Sequence, residues 1–451
     1  MIAMSLQSTA ATLGTTLDGA DGPFEGVSTD TRTLIPGQLF FALRGPRHDA
    51  HDRLDDAAQK GAAGAVVERP TRALPALLVD DTRRSLGVLA RAWRERHTLP
   101  LLAVTGSAGK TTVKEMLAAI MAVSRRTLAT RGNFNNDIGV PLTLFGLGPE
   151  HEVAVIEMGA NRPGDIAWLC EIARPDVGLI TLCAPAHLEG FGNVETVARS
   201  KGEIITALAP DGVAVINNED AFAPLWREFA GRRRVVSFGA GGMVSAHDVT
   251  LAAGHTRFRL RLDGTDIDVS VAHAGMHNVR NALAAAAAAF AIGTSAEDIA
   301  AGLAAAVPAK GRLQRRDAGD GLTLIDDSYN ANPASLRAAL EVLANAAAAR
   351  WLVLGDMGEL GDQSLDFHEQ AGQAARANGV ERLFTIGPLA QRAGQAFGPQ
   401  SRHFPDLPAL IEGLREARRE QAGPVTLLIK GSRMMALDRV ADALAAEVSP
   451  C

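Results

Sequence analysis

The sequence has few cysteines, and this shortage excludes a fold held together by disulfide bonds. Its three cysteines are scattered over 451 residues, and none stands in a Cys-x-x-Cys or metal-ligand spacing. Disulfide scaffolds are short chains that are dense in cysteine. The stability of this chain must therefore come from ordinary hydrophobic cores.

The sequence also lacks an excess of positive charge and a membrane-length hydrophobic run. Acidic residues outnumber basic ones by 51 to 45, so we expect no nucleic-acid partner. The alanine-rich run Ala282–Ala289 is too short to span a bilayer, and we expect no membrane insertion. The N-terminus lacks the basic start and long apolar run of a signal peptide. These features predict a cytoplasmic protein, and since no feature demands an oligomer, a monomer.

What the chain does contain is an alternation of strand-like and helix-like segments, which predicts an α/β fold of three domains. Strand-like runs include Leu101–Thr105, and helix-like segments include Ser85–His97 and Asn278–Phe290. We predict a small α/β N-terminal domain over residues 1–82 and a C-terminal Rossmann-like domain over residues 312–451. The central domain, residues 83–311, is predicted to combine a doubly wound parallel sheet with a small antiparallel sheet near residues 244–272.

The strongest local signal is the sequence TGSAGKTT at positions 105–112. A strand ends, small residues leave backbone N–H groups free to face one point, and a helix begins, which together form an anion site. A chance glycine-rich turn is the alternative, and the flanking strand and helix weigh against it. We therefore predict a site for nucleotide phosphates formed by Gly106, Ser107, Ala108, Gly109, Lys110, Thr111 and Thr112. Lys110 can reach the terminal phosphates, and the Thr111 hydroxyl can bind Mg²⁺.

This loop does not identify a reaction, because kinases, nucleotide switches and ligases share it. Further motifs narrow the choice. In chain order they are Ser28–Arg32, Gly132–Pro141, Ile156–Asn161, Ala186–Gly190, Ser200–Glu203, His277–Asn281, Gly311-Arg312, Asp326–Pro333 and Lys430–Arg433. With the shortened phosphate loop, their content and order resemble the muramyl ligases and the related folylpolyglutamate synthases over nearly the whole chain.

The resemblance implies ATP and Mg²⁺ as cofactors and assigns the catalytic residues Lys110, Glu157, His187 and Lys201. The metal ligands that it implies are Thr111, Glu157, His187 and Lys201. Lys201 is similar to the lysine that CO₂ carbamylates in related ligases. Each assignment has a structural alternative: Glu157 could cap the turn that follows it, His187 could be solvated, and Lys201 could form a surface ion pair with Glu203.

The same resemblance implies contacts with the nucleotide and the substrates. Asn281 is expected at the adenine ring, and Arg312 and Asp327 are expected to reach ATP when the domains close. The residues expected to bind the acid substrate are Ser28, Thr29, Asp30 and Arg32 at its uridine diphosphate end, with Asn135, Asn136, Tyr329 and Asn330 elsewhere. The alternatives are a structural helix start at Asn278, a packed Tyr329 and an asparagine-rich turn without a ligand. Lys430 and Arg433 are expected either to neutralise a phosphate or carboxylate or to be solvated.

The activity implied is an ATP-dependent, ADP-forming ligase that activates a carboxylate as an acyl phosphate for attack by an amine. The segments Ser28–Arg32, Asp326–Pro333 and Gly355–Leu360 favour a family member that adds D-alanyl-D-alanine to UDP-muramoyl-tripeptide. In that case the first domain binds the UDP substrate and the last domain binds the amine. The rival is the sister ligase that adds the third amino acid, whose usual Asp-Asn-Pro-Arg motif is absent here. From the loop alone, a small-molecule kinase or a nucleotide switch also remains open, although a guanine-reading Asn-Lys-x-Asp segment is missing.

Overall fold

The computed structural model describes residues 1–46, 48–185, 188–252 and 254–446. Within these ranges the strands form a two-stranded ladder and three larger sheets of five, nine and six strands. Each larger sheet is built from one consecutive stretch of the chain, with helices between its strands. The α/β class predicted from the alternating pattern is confirmed.

The N-terminal stretch forms a small sheet of short apolar strands. Its elements are β1 (Ala3–Ser5), α1 (Leu6–Leu13), β2 (Leu17–Asp18), β3 (Pro23–Glu25), β4 (Val27–Ser28), β5 (Leu39–Phe41), α2 (Leu54–Gln59), β6 (Gly64–Val67), β7 (Ala76–Leu78) and α3 (Thr82–Arg94). The five-stranded sheet has the order β2-β7-β6-β5-β4, and all pairs except β2-β7 are parallel. Helix α3 begins three residues before the predicted Ser85, because the Asp81 carboxylate caps it by accepting from the Arg84 N–H.

The central stretch contains the largest sheet. Its elements are β8 (Leu101–Thr105), α4 (Lys110–Ala122), β9 (Thr127–Ala129), α5 (Gly139–Leu144), β10 (Val153–Glu157), α6 (Asp165–Ala173), β11 (Val177–Ile180), α7 (Leu188–Phe191), α8 (Val194–Thr206), β12 (Val213–Asn217), α9 (Ala223–Ala230), β13 (Arg234–Phe238), β14 (Val244–Ala252), β15 (His255–Leu262), β16 (Thr265–Val271), α10 (Met276–Ala291) and α11 (Ala296–Ala305). The strand order is β16-β15-β14-β13-β12-β11-β8-β10-β9.

Strands β8 to β13 run parallel, and the inner four, β8, β10, β11 and β12, are buried along their whole length. All five residues of β10 are buried, as expected for a strand covered by helices on both sides. The predicted antiparallel strands are present, but they extend the same sheet through a single pair, Phe238 with Val244. Burial alternates along β15, so only one face of this extension is packed.

The two faces of the central sheet carry different helices. On one face α4, α10 and α11 share a core that includes Met116, Ala284 and Leu303. On the other face α3, α5, α6 and α8 share a core that includes Leu86 and Ile166. The alanine-rich run lies within α10 and is buried, and no helix in the described ranges is long and apolar enough to cross a membrane.

The C-terminal stretch forms the third sheet. Its elements are β17 (Gln314–Asp317), β18 (Leu322–Asp327), α12 (Pro333–Ala344), β19 (Ala349–Gly355), α13 (Ser364–Ala377), β20 (Arg382–Ile386), α14 (Ala390–Phe397), β21 (Ser401–Phe404), α15 (Leu407–Glu420), β22 (Val425–Lys430) and α16 (Asp438–Ala445). The order is β17-β18-β22-β19-β20-β21, with only β17 antiparallel to its neighbour. In this register Asp327 and Lys430 end neighbouring strands side by side.

Candidate active site

One cavity of about 1280 Å³ receives residues from all three stretches of the chain. Its walls come from the start of α3, from the loops after β8, β9 and β10, and from the loops after β18, β19 and β22. All of these loops follow the carboxyl ends of parallel strands, where ligands bind in open α/β sheets. Strand β8 lies between β10 and β11, so the chain passes to opposite sides of β8 and leaves a crevice there.

The predicted phosphate loop forms part of this wall and is held by close backbone packing. Gly106 has a φ of 145°, and a Cβ there would lie 1.9 Å from the Thr181 hydroxyl oxygen. That hydroxyl donates to the Ala108 carbonyl at 2.6 Å. Gly109, with a φ of 80°, leaves no room for a Cβ beside the Asn281 side-chain oxygen at 2.5 Å. The loop conformation therefore requires glycine at both positions.

Lys110 begins α4, and its ammonium donates to the Gly106 carbonyl across the loop at 2.8 Å. Desolvation lowers the pKa of Lys110, the Glu157 carboxylate raises it, and the positive charge of Arg312 lowers it further. An anion in the loop would offset both the desolvation and the repulsion from Arg312. The positive charge of Lys110 is therefore not fully balanced by the protein itself.

Glu157 ends β10 and is almost completely buried, with 1% of its surface exposed. One carboxylate oxygen, Oε1, accepts a hydrogen bond from the Asn135 side-chain amide at 2.7 Å. The other, Oε2, is buried and has no hydrogen-bond partner among the described residues. A buried, half-satisfied carboxylate on a cavity wall is suited to a cation.

The described residues include no group of three or more His, Cys, Asp and Glu side chains that could hold a metal alone. Mg²⁺ does not need such a group, because it binds through one or two protein oxygens together with substrate phosphates. Glu157 and Thr111 both line the cavity and supply oxygens of this kind. The residues present therefore fit a magnesium ion that also binds nucleotide phosphates.

The C-terminal stretch reaches the phosphate loop through Arg312. Its guanidinium donates to the Thr111 hydroxyl at 3.1 Å and lies 4.1 Å from the centre of the Tyr329 ring. Asp327 accepts from the Leu313 N–H at 3.1 Å and pairs with Lys430 within a buried contact. Tyr329 is thus a half-buried wall residue and not part of a core, and Lys430 is not solvated.

Lys201 lies in α8, is not among the residues that line the cavity, and has only 2% of its surface exposed. Its ammonium is 5.4 Å from the centre of the Phe191 ring. Burial and then the charge of Lys110 lower the pKa of Lys201 to about 7. The alternative of a surface pair with Glu203 is wrong, because Glu203 instead accepts from the N–H groups of residues 164 and 167.

Asn281 does not line the cavity but lies directly behind Gly109 of the loop. Its amide donates to the Asn278 side-chain oxygen at 2.9 Å. The alternative of a helix cap at Asn278 is wrong, since α10 begins at Met276, and the Asn278 side chain donates from inside the helix to the Ala274 carbonyl before it.

The remaining predicted residues divide into three groups. Lining the cavity are the substrate candidates Asn135, Asn136, Tyr329 and Asn330, with Ser107, Ala108, Gly109, Lys110 and Thr111 of the loop. The Asn136 side chain also accepts from the N–H of Gly139 and so holds the start of α5. A second group does not line the cavity: Gly106, Thr112, Ser28, Thr29, Asp30 and Arg32. Arg32 is paired with Asp30 at 2.6 Å and its side chain is exposed. His187 lies outside the described residues.

Sequence reasoning missed the wall formed by α3 and α6. Arg83, Arg84 and Trp168 line the cavity, and Arg84 lies 4.6 Å from the centre of the Trp168 ring. The Asp-Asp-Thr sequence before Arg83 is a helix-start signal that would have placed both arginines at the tip of a helix. No local pattern connects them with Trp168.

Comparison with known proteins agrees with this geometry. The family model of the Mur ligase middle domain matches residues 104–289, and that of the Mur ligase glutamate ligase domain matches residues 311–433. The UDP-N-acetylmuramoyl-tripeptide–D-alanyl-D-alanine ligase of Escherichia coli (strain K12) is 43% identical, over 98% of this chain and 99% of the relative.

Solved structures give the same result. A crystal structure of MurF from Acinetobacter baumannii superposes with a TM-score of 0.93 at 36% identity and covers 98% of both chains. The MurF ligase from Thermotoga maritima in complex with ADP has a TM-score of 0.83 at 29% identity, over 94% of this chain and 97% of that one. The chain therefore belongs to the Mur ligase family.

Proposed function

We propose that this Mur ligase joins D-alanyl-D-alanine to UDP-N-acetylmuramoyl-tripeptide in peptidoglycan precursor synthesis, with ATP converted to ADP and phosphate. The observation that carries the proposal is the meeting of the phosphate loop, the half-satisfied Glu157 and the Arg312–Tyr329 pair in one cavity. The name of the Escherichia coli relative supports the substrates. The ADP complex of the Thermotoga maritima relative supports the nucleotide.

The chemistry requires a leaving group, because a carboxylate does not condense with an amine in water. A carboxylate oxygen of the tripeptide attacks the γ-phosphorus of ATP, the bond to the bridging oxygen breaks, and ADP leaves. The amine nitrogen then attacks the acyl carbon, the carbon–oxygen bond to phosphate breaks with its electron pair, and the nitrogen loses a proton. Positioning and charge neutralisation are the main tasks of the protein in such steps.

The residues around the loop match these tasks. Lys110 neutralises charge on the transferred phosphoryl group, and the loop amides bind the adjoining phosphates. Glu157 and Thr111 would hold Mg²⁺, which when bound neutralises phosphate charge and polarises the acyl oxygen. Asn135 orients the Glu157 carboxylate through its 2.7 Å hydrogen bond. His187 is proposed as a further metal ligand on the family resemblance alone.

Lys201 is proposed to act as a carbamate. Formation of a carbamate needs a neutral amine, and a pKa of about 7 makes the neutral form abundant near neutral pH. The product replaces an ammonium that repels Lys110 with an anion that attracts it. Such an anion near the loop could hold a second Mg²⁺ where the ammonium would repel it.

The C-terminal domain is proposed to bind D-alanyl-D-alanine and to close over the acyl phosphate, which excludes water that would hydrolyse it. Asn281 is proposed to reach the adenine from behind Gly109. Ser28, Thr29, Asp30 and Arg32 are proposed to bind the uridine diphosphate end, away from the cavity. Since no feature of the chain demands an oligomer, we propose a monomer as the active unit, working in the cytoplasm where ATP and UDP-linked precursors occur.

The decisive experiment incubates the protein with ATP, Mg²⁺, UDP-muramoyl-tripeptide and D-alanyl-D-alanine and measures the product mass. We expect the product mass to equal the masses of the acid substrate and the dipeptide minus one water. Phosphate should be released only when both substrates are present. A parallel reaction with UDP-muramoyl-dipeptide and a diamino acid tests the sister activity. A product from that pair alone, or a phosphorylated product, would overturn the proposal.

A further inference from the structure

One wall of the cavity carries an arginine whose guanidinium stacks on a tryptophan ring. Arg84 lies in the first turn of α3, and its guanidinium carbon is 4.6 Å from the centre of the Trp168 ring in α6. Both residues line the cavity. Helix α4 follows the phosphate loop and covers one face of the central sheet, whereas helices α3 and α6 cover the opposite face. Arg84 therefore faces the cavity from another side than Lys110.

The sequence of α3 accommodates this arrangement at a cost in helix stability. Gly87 lies one turn after Arg84, and a Cβ there would lie 2.7 Å from the Trp168 Cζ2 atom and 2.9 Å from the Ile172 Cδ1 atom. Glycine inside a helix costs about 1 kcal/mol relative to alanine. The absence of a side chain lets Trp168 lie against α3, which fixes the ring beneath the guanidinium of Arg84.

Arg84 differs from its neighbours on the wall in having no carboxylate partner. Arg83 is held by both oxygens of Asp137, one of them at 2.7 Å, and Arg162 is held by Asp165 at 3.2 Å. Across the residues that the structure describes, no acidic side chain pairs with Arg84. Stacking on an aromatic ring orients a guanidinium while leaving its N–H groups free for a planar anion.

The anion to be expected at Arg84 follows from where the acid substrate must react. From Glu157 the lining residues continue along the chain with residues 159–165 and Trp168. If the acid carboxylate reacts beside Glu157, the groups nearest to this wall are those of the same amino acid, the third residue of the peptide. The pyrophosphate is separated from that point by a sugar and two amino acids, so it is not the group expected here.

The charges of the wall also favour one kind of side chain. Asp81, Asp137 and Asp165 line the cavity together with Arg83, Arg84 and Arg162, so the three negative charges of this wall balance its three positive ones. A wall without surplus positive charge suits a carboxylate that carries an ammonium beside it better than a dianionic phosphate. We propose, resting on the function proposed above, that Arg84 binds the side-chain carboxylate of a diamino diacid such as diaminopimelate at the third position. Arg84 thereby makes the enzyme select tripeptides ending in a diamino diacid over those ending in lysine.

The test compares two acid substrates, UDP-muramoyl-tripeptides ending in diaminopimelate or in lysine, for four proteins. These are the unaltered protein, Arg84→Ala, Arg84→Lys and the control Arg91→Ala. Arg91 lies in the same helix, pairs with Glu95 and Glu171, and is not part of the cavity wall. KM and kcat for each acid substrate are measured with saturating ATP and D-alanyl-D-alanine.

We expect the unaltered protein to have a lower KM for the diaminopimelate substrate. Arg84→Ala should raise that KM by about tenfold or more, as for loss of one charged hydrogen bond. The KM for the lysine substrate should rise no more than about twofold, which is within ordinary variation of uncoupled sites. Arg84→Lys should recover part of the affinity because it keeps the charge without the planar geometry.

Other results would overturn the proposal. An equal rise in both KM values would mean that Arg84 contacts a part common to both substrates, such as the pyrophosphate. A fall in kcat without a change in KM, or no change at all, would remove Arg84 from substrate selection. Turnover of neither tripeptide by the unaltered protein would instead overturn the function proposed above, and this inference with it.

Discussion

At the scale of single residues, the carboxylate of Glu157 is satisfied on one side only. Asn135 holds Oε1, while Oε2 is buried without a partner in the described part of the chain. Glu157→Gln keeps the shape and the Asn135 contact but removes the charge that would hold Mg²⁺. We expect turnover to fall by about 100-fold or more, since metal stabilisation of transition-state charge amounts to several kcal/mol. Steady-state ligation rates under saturating Mg²⁺ measure this effect.

The control for Glu157 is a carboxylate outside the cavity. Glu152→Gln changes a half-exposed side chain that accepts from the Arg126 N–H. Its ligation rate should match that of the unaltered protein. The unfolding temperature of Glu157→Gln should not fall, because the altered oxygen has no protein partner to lose. A fully active Glu157→Gln protein would remove this residue from the mechanism.

Lys201 provides a second residue-scale prediction, with a defined pH dependence. Its pKa is lowered to about 7, so the neutral amine that CO₂ requires becomes the main form as the pH rises above that value. In protein equilibrated with ¹³C-bicarbonate, we expect a carbamate carbon signal that grows as the pH rises through about 7. The signal should vanish in Lys201→Arg and persist in Lys60→Arg, a change at an exposed lysine bonded to the Thr31 carbonyl. A spectrum without this signal well above pH 7 would contradict carbamylation.

Single residues differ in how far the sequence can predict their roles. The places of Lys110 and Glu157 on the cavity wall could be predicted, because Lys110 comes shortly after one apolar strand, Glu157 ends another, and strand ends meet at one edge of a sheet. The stacking of Arg84 on Trp168 could not, because it depends on the packing of two helices that are far apart in the sequence. The burial of Lys201 was also hidden, since a lysine two residues from a glutamate has the pattern of a solvated helix face.

At the scale of elements, Gly87 in α3 gives an unusual prediction. Glycine to alanine normally stabilises a helix interior by about 1 kcal/mol. Here the added Cβ meets Trp168 and Ile172 below 3 Å, so we expect Gly87→Ala to lower the free energy of unfolding by about 1–3 kcal/mol. The control Val88→Ala lies on the exposed side of α3 and should leave stability nearly unchanged. Urea titrations of both variants measure the difference, and a stabilised Gly87→Ala protein would refute the packing argument.

The start of α10 is predicted to be sensitive to acid. Its residue His277 lies beside Val342 of α12, and burial followed by the charges of Lys430 and Arg280 lowers its pKa from 6.5 to about 4. Between these two values the unfolded chain takes up a proton that the folded protein does not, so the free energy of unfolding falls as the pH falls through this window. His277→Gln should reduce the steepness of that fall between about pH 6.5 and pH 4 in denaturant titrations. Equal slopes in the two proteins would show that His277 is not the group responsible.

Elements were predicted well where the pattern is local. Strand β8 was predicted at Leu101–Thr105 and is observed there, because four apolar residues and a threonine precede a glycine loop. Helix α10 was predicted to begin two residues too late and to end one residue too early; its first turn has no side-chain cap to mark the start. The antiparallel strands were recognised by their alternation, but their attachment to the central sheet depends on one long-range pair that no local pattern reveals.

At the scale of the whole molecule, the last domain supplies part of the cavity wall and meets the phosphate loop there. Arg312 donates to the Thr111 hydroxyl across this contact and stacks on Tyr329 of its own domain. Lys110 and Arg312 are close enough for the charge of Arg312 to lower the pKa of Lys110. Without an anion between them, the closed arrangement therefore contains a like-charge repulsion that opposes it.

Nucleotide phosphates remove this repulsion, so we predict that they shift the molecule toward the closed arrangement by rotation of the last domain near residues 308–312. Small-angle X-ray scattering should give a smaller radius of gyration with Mg²⁺, a non-hydrolysable ATP analogue and both substrates than without ligands. Arg312→Ala should reduce this compaction, because the phosphates then lose their contact with the last domain. Arg316→Ala, which breaks an ion pair with Asp442 within that domain, should leave the compaction unchanged. Superimposable profiles with and without ligands would show instead that the domains are already fixed, and that the repulsion between Lys110 and Arg312 is too weak to open them.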